Sequence, residues 1–216
     1  MATTASRVSM NVVIHRAFRR DLERFRVALE VFPDGDSARA TMLQRAWTHF
    51  ESQLHEHHEG EHETVFPALA ALGIAGSTLE TFDTEHEAMA TDLASAAAAM
   101  QRLSGSAGRA DADAAAAAVR QLQVTTLTHL DHEEQETEGP LAEQHDSPVV
   151  RQLGKAMRSR MSLAEAGTFL AWLQDGATAQ ERAALRQGIP GPVVTVLGGL
   201  FGRGYRRDVA PTWAGR

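Results

Sequence analysis

The sequence contains no cysteine. That excludes disulfides, thiolate metal sites and cysteine nucleophiles, and leaves the redox compartment undetermined. No stretch of 18 or more apolar residues occurs, so no membrane span is expected. The opening residues, MATTASRVSMNVVIHRAF, hold no apolar core of signal-peptide length, and a cytoplasmic protein is the expectation. Alternating apolar–polar strand patterns are missing, and prolines are few. Alanine runs at 96–99 and 114–118 favour helix instead. With 216 residues, 43% apolar and 23% charged, the chain can bury the core of one domain and carry an appended subdomain.

Charge is unevenly spread. Residues 1–145 hold 11 Lys+Arg against 23 Asp+Glu, whereas residues 146–216 hold 10 against 5. An acidic body argues against non-specific nucleic-acid binding. The modest basic excess of the tail suits contact with the acidic body or with a partner.

The richest stretch is 55–67, HEHHEGEHETVFP, with four histidines and four glutamates in residues 55–63. On its own such a cluster also suits a solvated surface helix. His57 and Glu61, however, are four apart, which on a helix puts both on one face. The same spacing returns at His129 and Glu133, in HLDHEE.

Apolar periodicity places four long helices around these residues. The first, from about Arg7 to Phe32, carries the stripe Val8, His15, Phe18, Leu22, Phe25, Leu29, Phe32. PDGDS (33–37) ends it. The second, from Ser37 or Ala38 to about Pro67, carries Leu43, Trp47, Phe50, Leu54, His57, Glu61, Val65. Pro67 should kink or end it. His58 and His62 form a second pair on the adjacent face, and His49 and His55 fall further round, where solvent is expected. The third, Ser77 to Leu103, places His86 between Phe82 and Met89 in its stripe. The fourth, Asp111 to Thr137, carries Val119, Leu122, Thr126, His129, Glu133, with Gly139-Pro140 disturbing it beyond.

The expected fold is all-α. It is an up-down-up-down four-helix bundle over 1–145, with a C-terminal extension of shorter helices over 146–216 packing on it. Ser147-Pro148, Ser162 with Glu165 and Thr178 with Glu181 mark helix starts in the extension. The apolar but Gly- and Pro-interrupted segment 188–205 reads as a strap over an apolar face, or as a lid or dimer contact. Counting residues from the interhelical turns brings His15, His57, Glu61, His86, His129 and Glu133 to one level of the core. Buried polar groups need partners. Four imidazoles and two carboxylates are too many for one catalytic zinc and suit two ions, with iron favoured and manganese or zinc as competitors. The spacing is His-x-x-x-Glu, unlike the Glu-x-x-His of ferritin-like bundles.

In this pattern the chain resembles the hemerythrin-like, HHE cation-binding family. IHRAFRRDL around His15, HHEGE followed by VFPAL around His57, and HLDHEE around His129 carry the resemblance, over about residues 7–141. The tail is similar, more weakly, to that of actinobacterial members. The resemblance implies a left-handed four-helix bundle with a non-haem di-iron centre. By position, His15, His57 and Glu61 would ligate mainly one iron, and His86, His129 and Glu133 mainly the other, with both glutamates bridging. The chain departs from oxygen-carrying members at helix 3, where Phe82 and Ala90 stand one turn either side of His86 in place of a second histidine. His58 or a water would then fill the gap. His62 is a second departure, at a position where related sequences often carry an acidic residue. The implied function is binding or reaction with O2, hydrogen peroxide or nitric oxide in sensing or redox-stress response. The histidine missing on helix 3 leaves more exchangeable positions on one iron, so a short-lived oxy form and a weak peroxidase- or catalase-like activity are expected rather than reversible O2 carriage. The alternatives are a di-iron oxidase acting on an organic substrate, and iron storage or sensing without turnover. A monomer or homodimer is expected, without nucleic-acid or membrane partners.

Overall fold

The computed structural model describes residues 9–214, so the expected helix start at Arg7 and the first stripe residue, Val8, lie outside the described residues. All regular structure among the described residues is helical. No described helix is long and apolar enough to cross a membrane.

Four long helical runs form the body. Helix α1 spans Met10–Glu30 and starts where the Ser9 hydroxyl accepts the Val12 N–H at 3.1 Å. Helix α2 spans Ser37–Gly60, capped by Asp36 accepting from the Arg39 N–H at 2.9 Å. Helices α4 (Gly76–Ser106) and α5 (Arg109–Glu143) complete the set. Helix α1 packs against α2 and α5, and α4 against α2 and α5, so the four enclose one core. The turns at residues 33–36 and 107–109 are tied together at one end. The Gly35 N–H donates to the Ala107 carbonyl at 2.8 Å, and the Arg109 N–H to Asp34 at 2.7 Å.

Two expected breaks are not breaks. After α2 the chain widens into a π-helical turn, Glu61–Val65, in which the Phe66 N–H reaches the Glu61 carbonyl. It then continues as helix α3, Phe66–Ala71. Pro67 lacks the N–H for an ordinary α-turn and its ring crowds the turn before it. The chain absorbs this as one extra residue in the turn. The phase of the buried face moves accordingly: Phe66 is buried where the uninterrupted stripe puts Val65. Helix α5 likewise runs past Thr137 and carries Pro140 inside its last turns.

The extension supplies α6 (Pro148–Ser159), α7 (Leu163–Gln174), α8 (Ala179–Gly188), α9 (Gly191–Phe201) and α10 (Arg203–Asp208), then a 3₁₀ turn, Ala210–Trp213. Both capping boxes form as the sequence indicates. Helix α7 brings Trp172 onto α1, fully buried, with its ring 5.1 Å from Phe18 and its N–H donating to Asp21 at 2.7 Å. Asp21 is thereby satisfied in a buried place, because Arg20 and Arg24 also contact it, at 2.8 and 3.1 Å. Trp172, Leu173, Tyr205 and Val209 join the apolar core of the long helices. The segment 188–205, expected as a strap over an apolar face, is largely helical. Helix α9 packs chiefly on α7, with Gly167 allowing the close approach to Leu197 and Phe201, and leaves Val196 and Leu200 exposed.

Candidate metal centre

Each long helix contributes polar side chains to one buried level. His15 comes from α1, His57 and His58 from the last turn of α2, Glu61 from the start of the π turn, His86 from α4, and His129 and Glu133 from α5. His15, Glu61, His86, His129 and Glu133 are each at most 5% exposed. The aromatic walls are Phe18 beside His57 at 5.2 Å, Phe66 stacked on His86 at 5.7 Å, and Phe82 edge-on to His129 at 5.9 Å between ring centres.

The side chains form two groups. In the first, His15, His57, Glu61 and Glu133 each offer one ligand atom within 4.8 Å of the others; in the second, His58, Glu61, His86 and His129 do the same. Glu61 belongs to both. Its Oε1 lies 3.0 Å from His57 Nε2 and its Oε2 3.3 Å from His86 Nε2. His15 Nε2 lies 3.0 Å from Glu133 Oε2.

These approaches are not hydrogen bonds. His15 Nε2, His57 Nε2, His58 Nε2, both Glu61 oxygens and Glu133 Oε2 are all buried without a hydrogen-bond partner. Buried polar atoms without partners are costly and uncommon in folded proteins. Lone pairs about 3 Å apart but not aligned on one another aim at common points between the residues. A cation at each point would satisfy them, so this donor set fits bound metal.

Two carboxylates that the sequence reading did not single out hold the imidazoles from behind. His15 Nδ1 lies 2.9 Å from Glu134, and His129 Nδ1 lies 2.9 Å from Glu85, which also meets His132 at 2.8 Å. A carboxylate on Nδ1 fixes the tautomer that presents Nε2 inward, the usual support for a metal-binding histidine. The available signal was adjacency: Glu85 precedes His86, and Glu134 follows Glu133, each one step off the stripe toward the next helix.

Protonation differs across the centre. Burial alone would lower His15, but the close carboxylates of Glu133 and Glu134 outweigh it and push it up to about 9. Burial would raise the Glu61 carboxyl, but the charge of His57 and contacts from His57 and His86 hold it well below its usual range. Burial, reinforced by the charge of His86, pushes His58 well below the usual imidazole range and lowers His129.

The grouping departs from the allocation by resemblance in one respect: Glu133 falls with His15 and His57 rather than with His86 and His129. His58, one of the two candidates for the missing ligand, stands beside His86 and His129, with its ring stacked on His86 at 4.1 Å. His62 lies outside both groups, half-exposed and 3.2 Å from Asp83. His55 is exposed, as expected, and pairs with Glu59 at 3.3 Å. His49 is not in solvent. The extension covers it, with Tyr205 at 5.0 Å and Trp172 at 6.0 Å, and burial lowers its pKa to about 4.

Comparison with curated proteins and with solved structures gives no match. A family model described as the Hemerythrin HHE cation binding domain matches residues 11–141, which takes in every residue of both groups. On that match, the chain belongs to the hemerythrin HHE cation-binding family.

Proposed function

We propose that this up-down-up-down bundle holds two iron ions and reacts with a small oxidant, O2, hydrogen peroxide or nitric oxide, in sensing or detoxification. The observation that carries the reading is the set of buried, unpartnered nitrogen and oxygen atoms arranged as two groups sharing Glu61. Imidazole and carboxylate without thiolate suit iron, with manganese and zinc as competitors. When bound, a pair of iron ions supplies electrons and exchangeable coordination positions to an oxidant.

The chain supplies the rest. Glu61 spans both groups and fixes their separation. Glu85 and Glu134 orient His129 and His15. Phe18, Phe66 and Phe82 wall the two groups with apolar rings. A cavity of about 230 Å³ lies between α1 and α7–α8, lined by Arg16, Arg20 and Glu181 among others.

The test is rapid mixing of the anaerobically iron-loaded chain with O2 or hydrogen peroxide, against the zinc-loaded chain as control. The iron-loaded chain should change its optical spectrum and consume peroxide at a modest rate, and the zinc form should do neither. An iron-loaded chain inert to both oxidants would leave storage or iron sensing as the function.

A further inference from the structure

His86 meets the buried centre through Nε2, 3.3 Å from Glu61 Oε2 and 3.0 Å from His129 Nε2. Its Nδ1 is buried as well and has no hydrogen-bond partner. His15 and His129 differ, since Nδ1 of each rests on a carboxylate. Beside His86 stand His62 and Asp83, both about half-exposed, with His62 Nε2 3.2 Å from Asp83 Oδ1. The His62 and His86 rings are 5.6 Å apart. One ligand atom from each of His62, Asp83 and His86 lies within 4.8 Å of the others.

Local structure explains the arrangement. Asp83 precedes His86 by three residues on α4, so both lie on one face of that helix. His62 is the second residue of the widened turn, directly after Glu61. Glu61 points into the core while His62 is carried outward onto α4. A half-exposed His–Asp pair by itself contributes little, whereas His86 Nδ1 and Asp83 Oδ1, both buried without a hydrogen-bond partner, are costly. A cation between the three residues would satisfy both.

We propose that His62, Asp83 and His86 form a third, outer cation site for a divalent first-row transition metal ion. Two imidazoles and one carboxylate suit Zn2+, Co2+ or Fe2+, whereas Mg2+ and Ca2+ call for oxygen ligands. Two of its three residues are about half-exposed and only His86 is shared with the buried groups. With both places filled His86 would bridge them as an imidazolate, Nε2 toward the buried ion and Nδ1 toward the outer one, its ring N–H proton passing to solvent as the outer ion binds. The outer site is therefore where a hydrated ion first meets the buried set, and ions load into the centre through it.

Equilibrium dialysis of the metal-free chain against Co2+, in a large excess of Mg2+, tests the site. Three Co2+ per chain are expected for the native sequence, and two for His62→Ala and for Asp83→Asn. Both positions are open to solvent, so neither variant should perturb the fold, and circular dichroism checks this. His55→Ala, which removes another exposed, ion-paired histidine, should keep three. Two ions in the native chain and in both variants would overturn the outer site and leave the two-ion centre standing. Three ions in every variant would overturn it too, by placing the third ion elsewhere. Fewer than two in the native chain would overturn the centre and the outer site together. For the loading role, stopped-flow absorbance of Co2+ uptake should slow several-fold in His62→Ala. An unchanged uptake rate would overturn that role.

Discussion

The two buried groups share Glu61 and little else. The first adds His15, His57 and Glu133; the second adds His58, His86 and His129. One is half carboxylate, the other mostly imidazole. Without a cation they also handle protons oppositely. His15 keeps a proton up to about pH 9, because Glu133 and Glu134 outweigh its burial. His58 and His129 shed theirs early, because burial and the nearby charge of His86 disfavour the charged form. The lesson is that a pseudo-repeated sequence pattern, His-x-x-x-Glu twice with a lone histidine before each, yields two chemically unequal places. The first must exchange a proton for a metal ion. The second presents neutral nitrogens that are ready to coordinate.

The comparison breaks most completely at the residue the groups share. Glu61→Ala should cost the chain both ions, read as metal retained through gel filtration, whereas His49→Ala should keep both. Retention of one ion in Glu61→Ala would mean that the groups do not share that carboxylate. Next in size, His15→Ala and His58→Ala should each lose about one ion. If His58→Ala keeps two, then His58 is a packing residue stacked on His86 and not part of the second place.

Proton linkage sharpens the contrast. In the metal-free chain His15 has a folded pKa of about 9, above its ordinary 6.5. Its stabilising contribution, about 3 kcal/mol, is therefore complete below pH 6.5 and lost as pH rises through 9. Thermal melts of the metal-free chain should fall in Tm over that window, and His15→Gln should flatten the fall. Metal uptake at pH 7.5, followed with a pH indicator, should release the proton from His15, and His15→Gln should abolish that part of the release. Equal release from the native chain and His15→Gln would contradict the assignment. The smallest effects are expected from the carboxylates behind the imidazoles. Glu134→Gln should weaken the first place and Glu85→Gln the second, each by about 10- to 100-fold in metal affinity. Competition with a chromophoric chelator would measure this. A loss shared equally by both places in either variant would mean that these carboxylates support the bundle rather than one group each.

Much of this was legible in the sequence. The three-four spacing of apolar residues located all four long helices, and it marked His15, His57, Glu61, His86, His129 and Glu133 as polar intruders in buried stripes. How the six divide between two places was not legible, because that depends on rotation about each helix axis. A stripe gives a face, not an angle within it. His58 is one residue off its stripe, yet it reaches the centre because the neighbouring helix packs close there. The widened turn at 61–65 was hidden for a related reason. Pro67 signals a disturbance, but whether the chain stops, kinks or gains a residue depends on burying Phe66 and Leu69, on either side of it. His49 was misplaced because its burial comes from Trp172 and Tyr205, more than a hundred residues away, and no periodicity within its own helix reports that docking.

Each of the two groups sharing Glu61 is expected to hold one metal ion. Elemental analysis tests this most directly, on the chain loaded with Fe2+ under anaerobic conditions and then gel-filtered to remove weakly held ions. Two iron ions retained per chain is the predicted result; one or none would contradict it.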